Sequence, residues 1–236
     1  ADNLILVPSV EYPTIDSVAN ISTTYATGSI YGGYFDSYKC YKYNYSSTEA
    51  NRYFYPVSNT LTTGCTGSNK EWSGNYLNWA ATQTIDSFRS ALTGGYRVKD
   101  TETETWLEKA RNDRDGTFAQ KNVPVSGNNS TLVRSISPFL KDQNNVTIDS
   151  IKTAIAGFGN KMLISFNNKT ISSSSTGTPY NPDSNILVNT IYEVSVRVKV
   201  CVDGLLEDNC KEYNNGYKPE GVIQEYSNRL RYSVFG

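Results

Sequence analysis

Apolar and polar residues alternate almost without fault from Tyr192 to Val202. Val194, Val196, Val198, Val200 and Val202 fall on one side, and Ser195, Arg197, Lys199 and Cys201 on the other. A period of two predicts a half-exposed, antiparallel strand. Between Trp72 and Gly95 the period changes: Tyr76, Trp79, Ala80, Gln83, Ile85, Phe88, Ala91 and Leu92 contain an i, i+3, i+4 stripe. Ser73 or Asn75 is available as N-cap and Gly94-Gly95 as stop, so the segment predicts a helix whose aromatic stripe packs in the core. Asp100 to Gly116 has carboxylates in its first turns and bases in its last, as the helix dipole favours. With only Trp106, Leu107 and Ala110 to bury, this second predicted helix makes residues 100–121 a projecting segment.

The remaining text is shorter-ranged. Asn3 to Val10 (NLILVPSV) reads as a buried central strand interrupted by Pro8. From Glu11 to Ser73 helical period is lost among Tyr, Gly, Ser, Asn and Thr, which predicts an insertion or cap of loops and short strands over 11–73. Phe118 to Asn145 is irregular, with Leu132, Val133, Ile136 and Phe139 as core anchors. A short helix is expected over Val146 to Gly157, a strand over Lys161 to Phe166, and a loop over Asn167 to Asn185. Lys218 to Asn228 opens with Pro219 as a helix would, and Leu230 to Phe235 continues as a strand. The chain thus stops on a strand, which suggests a fragment of something longer.

Composition narrows the chemistry. The 236 residues carry 22 Lys plus Arg against 23 Asp plus Glu, no His and four Cys. At that length folding buries roughly 70–75% of the unfolded surface, so a core forms without metal. The absence of histidine excludes Ser-His-Asp and Cys-His nucleophile systems and His-ligated zinc. A net charge of −1 excludes nucleic-acid binding through bulk charge. Nothing approaches the ~20 apolar residues that span a bilayer. The cysteines pair locally, Cys40 with Cys65 and Cys201 with Cys210, which implies an oxidising location. A surface rich in Asn, Ser, Thr, Tyr and Gly agrees with that location.

Candidate sites are few. Asp203, Glu207 and Asp208 lack the spacing of a calcium loop and read as a plain acidic hairpin, so no metal and no cofactor is expected. No glycine-rich phosphate cradle occurs. Glu102 and Glu104 read as solvated carboxylates rather than a glycosidase pair. One basic cluster remains, Lys109, Arg111, Arg114 and Lys121, with Arg97 and Lys99 upstream and Trp106 and Phe118 nearby. It would meet DNA phosphates or a pilus with aromatic support; interleaved Glu102, Glu104, Glu108, Asp113 and Asp115 instead favour a solvated, salt-bridged surface.

Taken in order, Tyr34-Phe-Asp-Ser-Tyr-Lys-Cys-Tyr, Trp72-Ser-Gly-Asn-Tyr-Leu-Asn-Trp-Ala, Ile85-Asp-Ser-Phe-Arg-Ser-Ala-Leu-Thr-Gly-Gly, Asp100-Thr-Glu-Thr-Glu-Thr-Trp-Leu-Glu-Lys-Ala and Lys218-Pro-Glu-Gly-Val-Ile-Gln-Glu-Tyr-Ser-Asn-Arg-Leu-Arg-Tyr resemble the amino-terminal region of the PilY/PilC family of type IV pilus tip-associated proteins. The resemblance extends over most of the chain. It implies an α/β fold, a modified von Willebrand factor A-like domain with a central sheet flanked by helices and a large loop-rich insertion. It also implies that 1–236 is a single amino-terminal domain fragment, without the family's carboxy-terminal β-propeller. In that fold Asn3 to Val10 is the first central strand and Leu230 to Phe235 returns beside it. Many von Willebrand A domains carry a metal-binding Asp-x-Ser-x-Ser after the first strand; here Val7-Pro-Ser-Val-Glu-Tyr-Pro has no Asp, which puts metal-dependent binding there in doubt.

The functional expectation is a non-enzymatic interaction domain, exported to the periplasm, outer membrane and pilus tip of a Gram-negative bacterium. Its partners would be pilin or minor pilin subunits and a host or abiotic surface. Its roles would be pilus assembly, adhesion, twitching motility and, in a competence-type member of the family, DNA uptake in natural transformation. The alternatives are direct DNA binding through residues 97–121 and an extracellular glycan-processing enzyme, which needs two carboxylates facing one cleft within roughly 5–10 Å.

Overall fold

The fold hangs on four sheets, seen in a computed structural model that describes residues 2–8, 11, 14–15, 17–65, 70–112 and 120–235. In chain order the elements begin with β1 (Asp2–Leu6), β2 (Lys39–Asn44), a 3-10 turn (Glu49–Asn51), β3 (Tyr53–Asn59) and β4 (Trp72–Ser73). Helices α1 (Gly74–Ala81) and α2 (Thr84–Thr93) follow, then β5 (Arg97–Asp100), β6 (Thr105–Glu108), β7 (Lys121–Val123) and α3 (Ser130–Ile136). Next come β8 (Ile151–Ala154), β9 (Lys161–Phe166), β10 (Thr178–Pro179), β11 (Tyr192–Ser195) and β12 (Arg197–Val200). The order closes with β13 (Cys210–Tyr213), β14 (Gly216–Pro219), α4 (Val222–Glu225) and β15 (Leu230–Val234).

A six-stranded sheet runs β4-β2-β3-β12-β6-β5, and a five-stranded one runs β10-β11-β9-β8-β7. Both are antiparallel except for the β3–β12 and β10–β11 neighbours. The class is therefore mixed α/β, rich in sheet and with few helices. Residues 39–59 stand inside the six-stranded sheet and bury Tyr41, Tyr43 and Phe54, so they build the core and are no cap over it.

The alternating segment 192–202 is not one strand. It breaks at Val196, whose N–H donates to Asn160 O and whose carbonyl accepts from Lys109 N–H, and the chain passes from the five-stranded sheet into the six-stranded one. Most of its polar side is buried, Ser195 being 2% exposed and Arg197 6%, while Lys199 stays half-buried.

The predicted helix over Trp72 to Leu92 forms with the expected signals but in two pieces. The Ser73 side chain accepts the Tyr76 N–H at the start, and Gly94 ends α2 in the left-handed region at φ 82°. Thr82 and Gln83 turn extended between the two. Asn75, Tyr76, Leu77, Asn78 and Trp79 are all buried, and Asn78 ties in the loop before β2: it accepts the Phe35 N–H at 3.1 Å and donates to Tyr31 O and Phe35 O.

Two predicted helices are strands. The projecting helix over 100–116 is replaced by β5 and β6, joined by a turn in which the Thr101 N–H donates to Glu104 O at 2.9 Å. Thr105 to Glu108 pairs residue by residue with β12, and that long-range strand pairing outweighs the charge pattern. Asp113, Arg114, Asp115 and Phe118 lie outside the described residues. The helix expected over Val146 to Gly157 is β8, in a stretch dense with Val, Ile and Thr. Val133, Ile136 and Phe139 are core residues as expected, on and just after the short helix α3. The strand over Lys161 to Phe166 is β9. Pro219 ends β14 and the helix after it is shorter than expected.

β1 and β15 pair in parallel from Asp2↔Leu230 to Leu6↔Val234, as the resemblance implied. β1 is exposed, not buried in the centre of a sheet. Both disulfides form as expected, Cys40–Cys65 and Cys201–Cys210.

Candidate functional site

Register decides what the two faces of the six-stranded sheet carry. Tyr41, Tyr43, Phe54, Leu107, Val198 and Val200 point into the core. Pairing Lys42↔Tyr55, Asn44↔Tyr53, Lys199↔Trp106, Arg197↔Glu108 and Lys99↔Trp106 puts those alternate residues on the opposite, outer face. There Tyr53 and Trp106 stack with centroids 4.0 Å apart and planes 24° apart, and Tyr55 lies 6.0 Å beyond Tyr53. The Lys99 ammonium covers the Trp106 ring at 4.4 Å.

Glu104 anchors this face. Its carboxylate meets Lys99 Nζ at 2.7 Å and Lys199 Nζ at 3.3 Å and accepts the Trp106 indole N–H at 2.7 Å. Burial would raise its pKa, but the hydrogen bonds from Lys99 and Trp106 and the Lys199 charge outweigh that and hold it at about 2. Burial pushes the Tyr53 and Tyr55 phenols upward, so both are neutral hydroxyls at pH 7. Two hollows flank the stack. One, of about 300 Å³, is lined by Asn44, Tyr53, Tyr55, Pro56, Lys199 and Val202. The other, of about 290 Å³, is lined by Ala50, Asn51, Val98, Lys99, Trp106, Glu108 and Arg197. Beneath the second, Arg197 donates to Glu108 at 2.5 Å and to Glu49 at 2.9 Å. Burial raises the Glu49 pKa, but the hydrogen bonds from Arg197, Ser195 and Asn160 and the Arg197 charge together outweigh it and hold it at about 2.

The basic cluster read from the sequence is not assembled. Lys99 and Trp106 meet, as just described. Arg97 instead donates to Asp100 at 2.9 Å and to Pro219 O at 2.6 Å. Lys109 is buried and donates to Gln83 Oε1, Ala110 O and Gly159 O. Lys121 is buried over the Trp79 ring at 4.8 Å, donating to Asn20 O and Trp79 O. Arg111 is exposed beside a separate hollow with Phe158 and Lys161. Arg114 lies outside the described residues. The partners that bury Lys109 and Lys121 are mostly backbone carbonyls, which no residue pattern advertises. Sequence reasoning missed Tyr53, Tyr55, Asn44 and Lys199; the alternation in Tyr53-Phe-Tyr55 was the available signal.

A larger cleft, of about 680 Å³, lies between the 30–38 loop, α2 and the 207–211 and 219–225 segments. Asp36 and Glu207 line it and both touch the buried Lys39 Nζ, at 2.9 and 3.5 Å. Two carboxylates thus face one cleft at close range. The lysine ammonium stands between them, and Asp36 and Glu207 also accept the Tyr38 and Cys201 N–H groups. Asp203 and Asp208 are exposed. The side-chain clusters with metal-ligand spacing among the described residues each contain a disulfide, so their sulfurs are engaged. No helix among the described residues is long and apolar enough to cross a membrane.

The family described as PilY1 homolog, small alpha/beta domain, matches residues 22–171, which takes in β2 through β9. The chain belongs to the PilY1 homolog family. A type IV pilus biogenesis factor PilY1 homolog of Xylella fastidiosa strain Temecula1 is 48% identical over 99% of the chain. A second protein of that name from the same strain is 30% identical over 85% of it. The chain spans 19% and 14% of the lengths of these relatives. No solved structure matches it.

Proposed function

We propose that this chain is a non-enzymatic contact module of a type IV pilus biogenesis factor, working outside the cytoplasm at the outer membrane and pilus tip of a Gram-negative bacterium. The names of its relatives and its two disulfides support the setting. The observation that carries the contact role is the Tyr53–Trp106 stack on the outer sheet face, with Tyr55, Lys99 and Lys199 around it. Aromatic rings with polar tips supply contact area at low entropic cost. Adhesion to a host or abiotic surface and docking of pilin or minor pilin subunits are the roles this face suits. Twitching and DNA uptake would follow from pilus assembly. For the enclosing fold we read β1 and β15 as part of a von Willebrand A-like sheet of the longer protein. Their parallel pairing and the exposure of Ile5, Val7, Val234 and Phe235 support this reading, since parallel sheets are ordinarily covered on both faces.

Two alternatives are weaker. Direct DNA binding through 97–121 loses its basis once Lys109 and Lys121 are buried and Lys99 and Lys199 share Glu104. Glycan hydrolysis at Asp36 and Glu207 would need the space that Lys39 fills.

The test is genetic and direct. Deleting the gene should abolish surface pili, twitching and adhesion, and complementation with Tyr53→Ala plus Tyr55→Ala should restore pili but not adhesion. A deletion strain that keeps both pili and adhesion ends the proposal.

A further inference from the structure

The hollow beside Tyr55 has a chemistry of its own. Tyr53 and Tyr55 give it aromatic walls, Pro56 and Val202 an apolar edge, and Asn44 and Lys199 polar groups. The Asn44 amide N–H donates to Asn51 O at 3.0 Å, which fixes the side chain. Of the described lining residues Lys199 alone is charged, and the Asp183 carboxylate, which is not among them, acts on the Tyr55 phenol from farther off. Its ammonium lies 3.3 Å from Glu104, which Lys99 already holds at 2.7 Å, so two cations share one carboxylate and one positive charge is left over. Lys42 stands opposite Tyr55 on β2, on the same face of the sheet. We infer that this hollow binds an acidic sugar, a hexuronate unit of a polysaccharide.

A pyranose presents an apolar C–H face suited to an electron-rich phenol ring, and hydroxyls at its edge suited to Asn44 and the neutral tyrosine hydroxyls. Its ring carboxylate answers the surplus positive charge at Lys199. About 300 Å³ accommodates one such ring with its substituents. Single-stranded nucleic acid also stacks on aromatic sheet faces, but it needs a row of cations along its phosphates. Here the cations converge instead of lining up: Lys99 and Lys199 meet at Glu104, and Arg197 sits between Glu49 and Glu108.

The inference rests on the reading of this face as a contact surface, and its test is separate because it uses the purified chain and reads no pili. Trigalacturonate, its methyl ester and an oligothymidylate are titrated by calorimetry at low and physiological salt, with circular dichroism confirming the fold of each variant. Trigalacturonate should bind, and the ester, which replaces each charged carboxylate by a neutral methyl ester, should bind about threefold more weakly. Tyr55→Ala should weaken trigalacturonate about tenfold and Lys199→Met about threefold. The inference is overturned by no binding of trigalacturonate at about 10 mM, where even a weak site saturates. Equal affinity for the ester, or indifference to Tyr55→Ala, overturns it as well. Tighter binding of oligothymidylate through Tyr55 would assign the hollow to nucleic acid instead.

Discussion

Tyr53 on β3 and Trp106 on β6 stack at 4.0 Å across the intervening strand β12. The contact joins strands that share no hydrogen bonds, so it clamps the middle of the six-stranded sheet from outside. Trp106 is 6% exposed because Tyr53 and Lys99 cover it. Urea denaturation of Tyr53→Ala, Trp106→Ala and the double variant should give a coupling energy of about 1 kcal/mol. A coupling near zero would mean the rings merely lie close.

Glu104 gives the sheet face an acid limit. Its folded pKa of about 2 lies below the ordinary 4.5, so the unfolded chain binds more protons between those values. The stability it contributes is complete above pH 4.5 and is lost as pH falls towards 2. Glu104→Gln should be less stable than the parent at pH 6, and the gap should close as pH drops through that window. A carboxyl titration of Glu104 by nuclear magnetic resonance should show the low midpoint directly.

Lys121 acts at the alkaline end. Burial lowers its pKa from 10.5 to about 8. Below pH 8 the folded state holds a buried ammonium; from 8 to 10.5 the unfolded chain binds more protons, so stability rises with pH. Chemical denaturation at pH 7.5 and pH 10 should show the parent gaining on Lys121→Met over that interval. No change in the difference would place the Lys121 ammonium in contact with water.

Asn78 is 1% exposed and makes three hydrogen bonds to Tyr31 and Phe35. Asn78→Leu keeps the volume and strands those backbone groups, at a cost of about 3 kcal/mol in thermal or chemical unfolding. A loss below 0.5 kcal/mol, the range of an ordinary surface change, would mean that water replaces the amide.

Local signals were legible where local physics sets the outcome. Ser73 caps α1 and Gly94 stops α2 because a side-chain oxygen and a left-handed turn are properties of those residues themselves. Cysteines nine and 25 residues apart pair as their spacing suggested. The failures have a common cause in distant partners. Thr101 to Glu108 carries helix-like charges, yet β12 offers it hydrogen bonds from nearly a hundred positions away. Val196 alternates perfectly with its neighbours and still marks the passage between sheets, because Asn160 and Lys109 claim its backbone. The candidate face fared likewise. Lys99 and Trp106 were picked out for their charge and ring, whereas Tyr53, Tyr55 and Lys199 join them only through the order of strands.

The pairing of β1 with β15 has a mechanical consequence. Because the two strands run in the same direction, the start of one and the finish of the other lie at opposite ends of the ladder from Asp2↔Leu230 to Leu6↔Val234. Tension applied to the polypeptide before Asp2 and after Val234 therefore slides the strands past each other and loads all their backbone hydrogen bonds together, instead of unzipping them one at a time. A load along this line would meet its resistance there, before the sheets and disulfides between the two strands felt the pull.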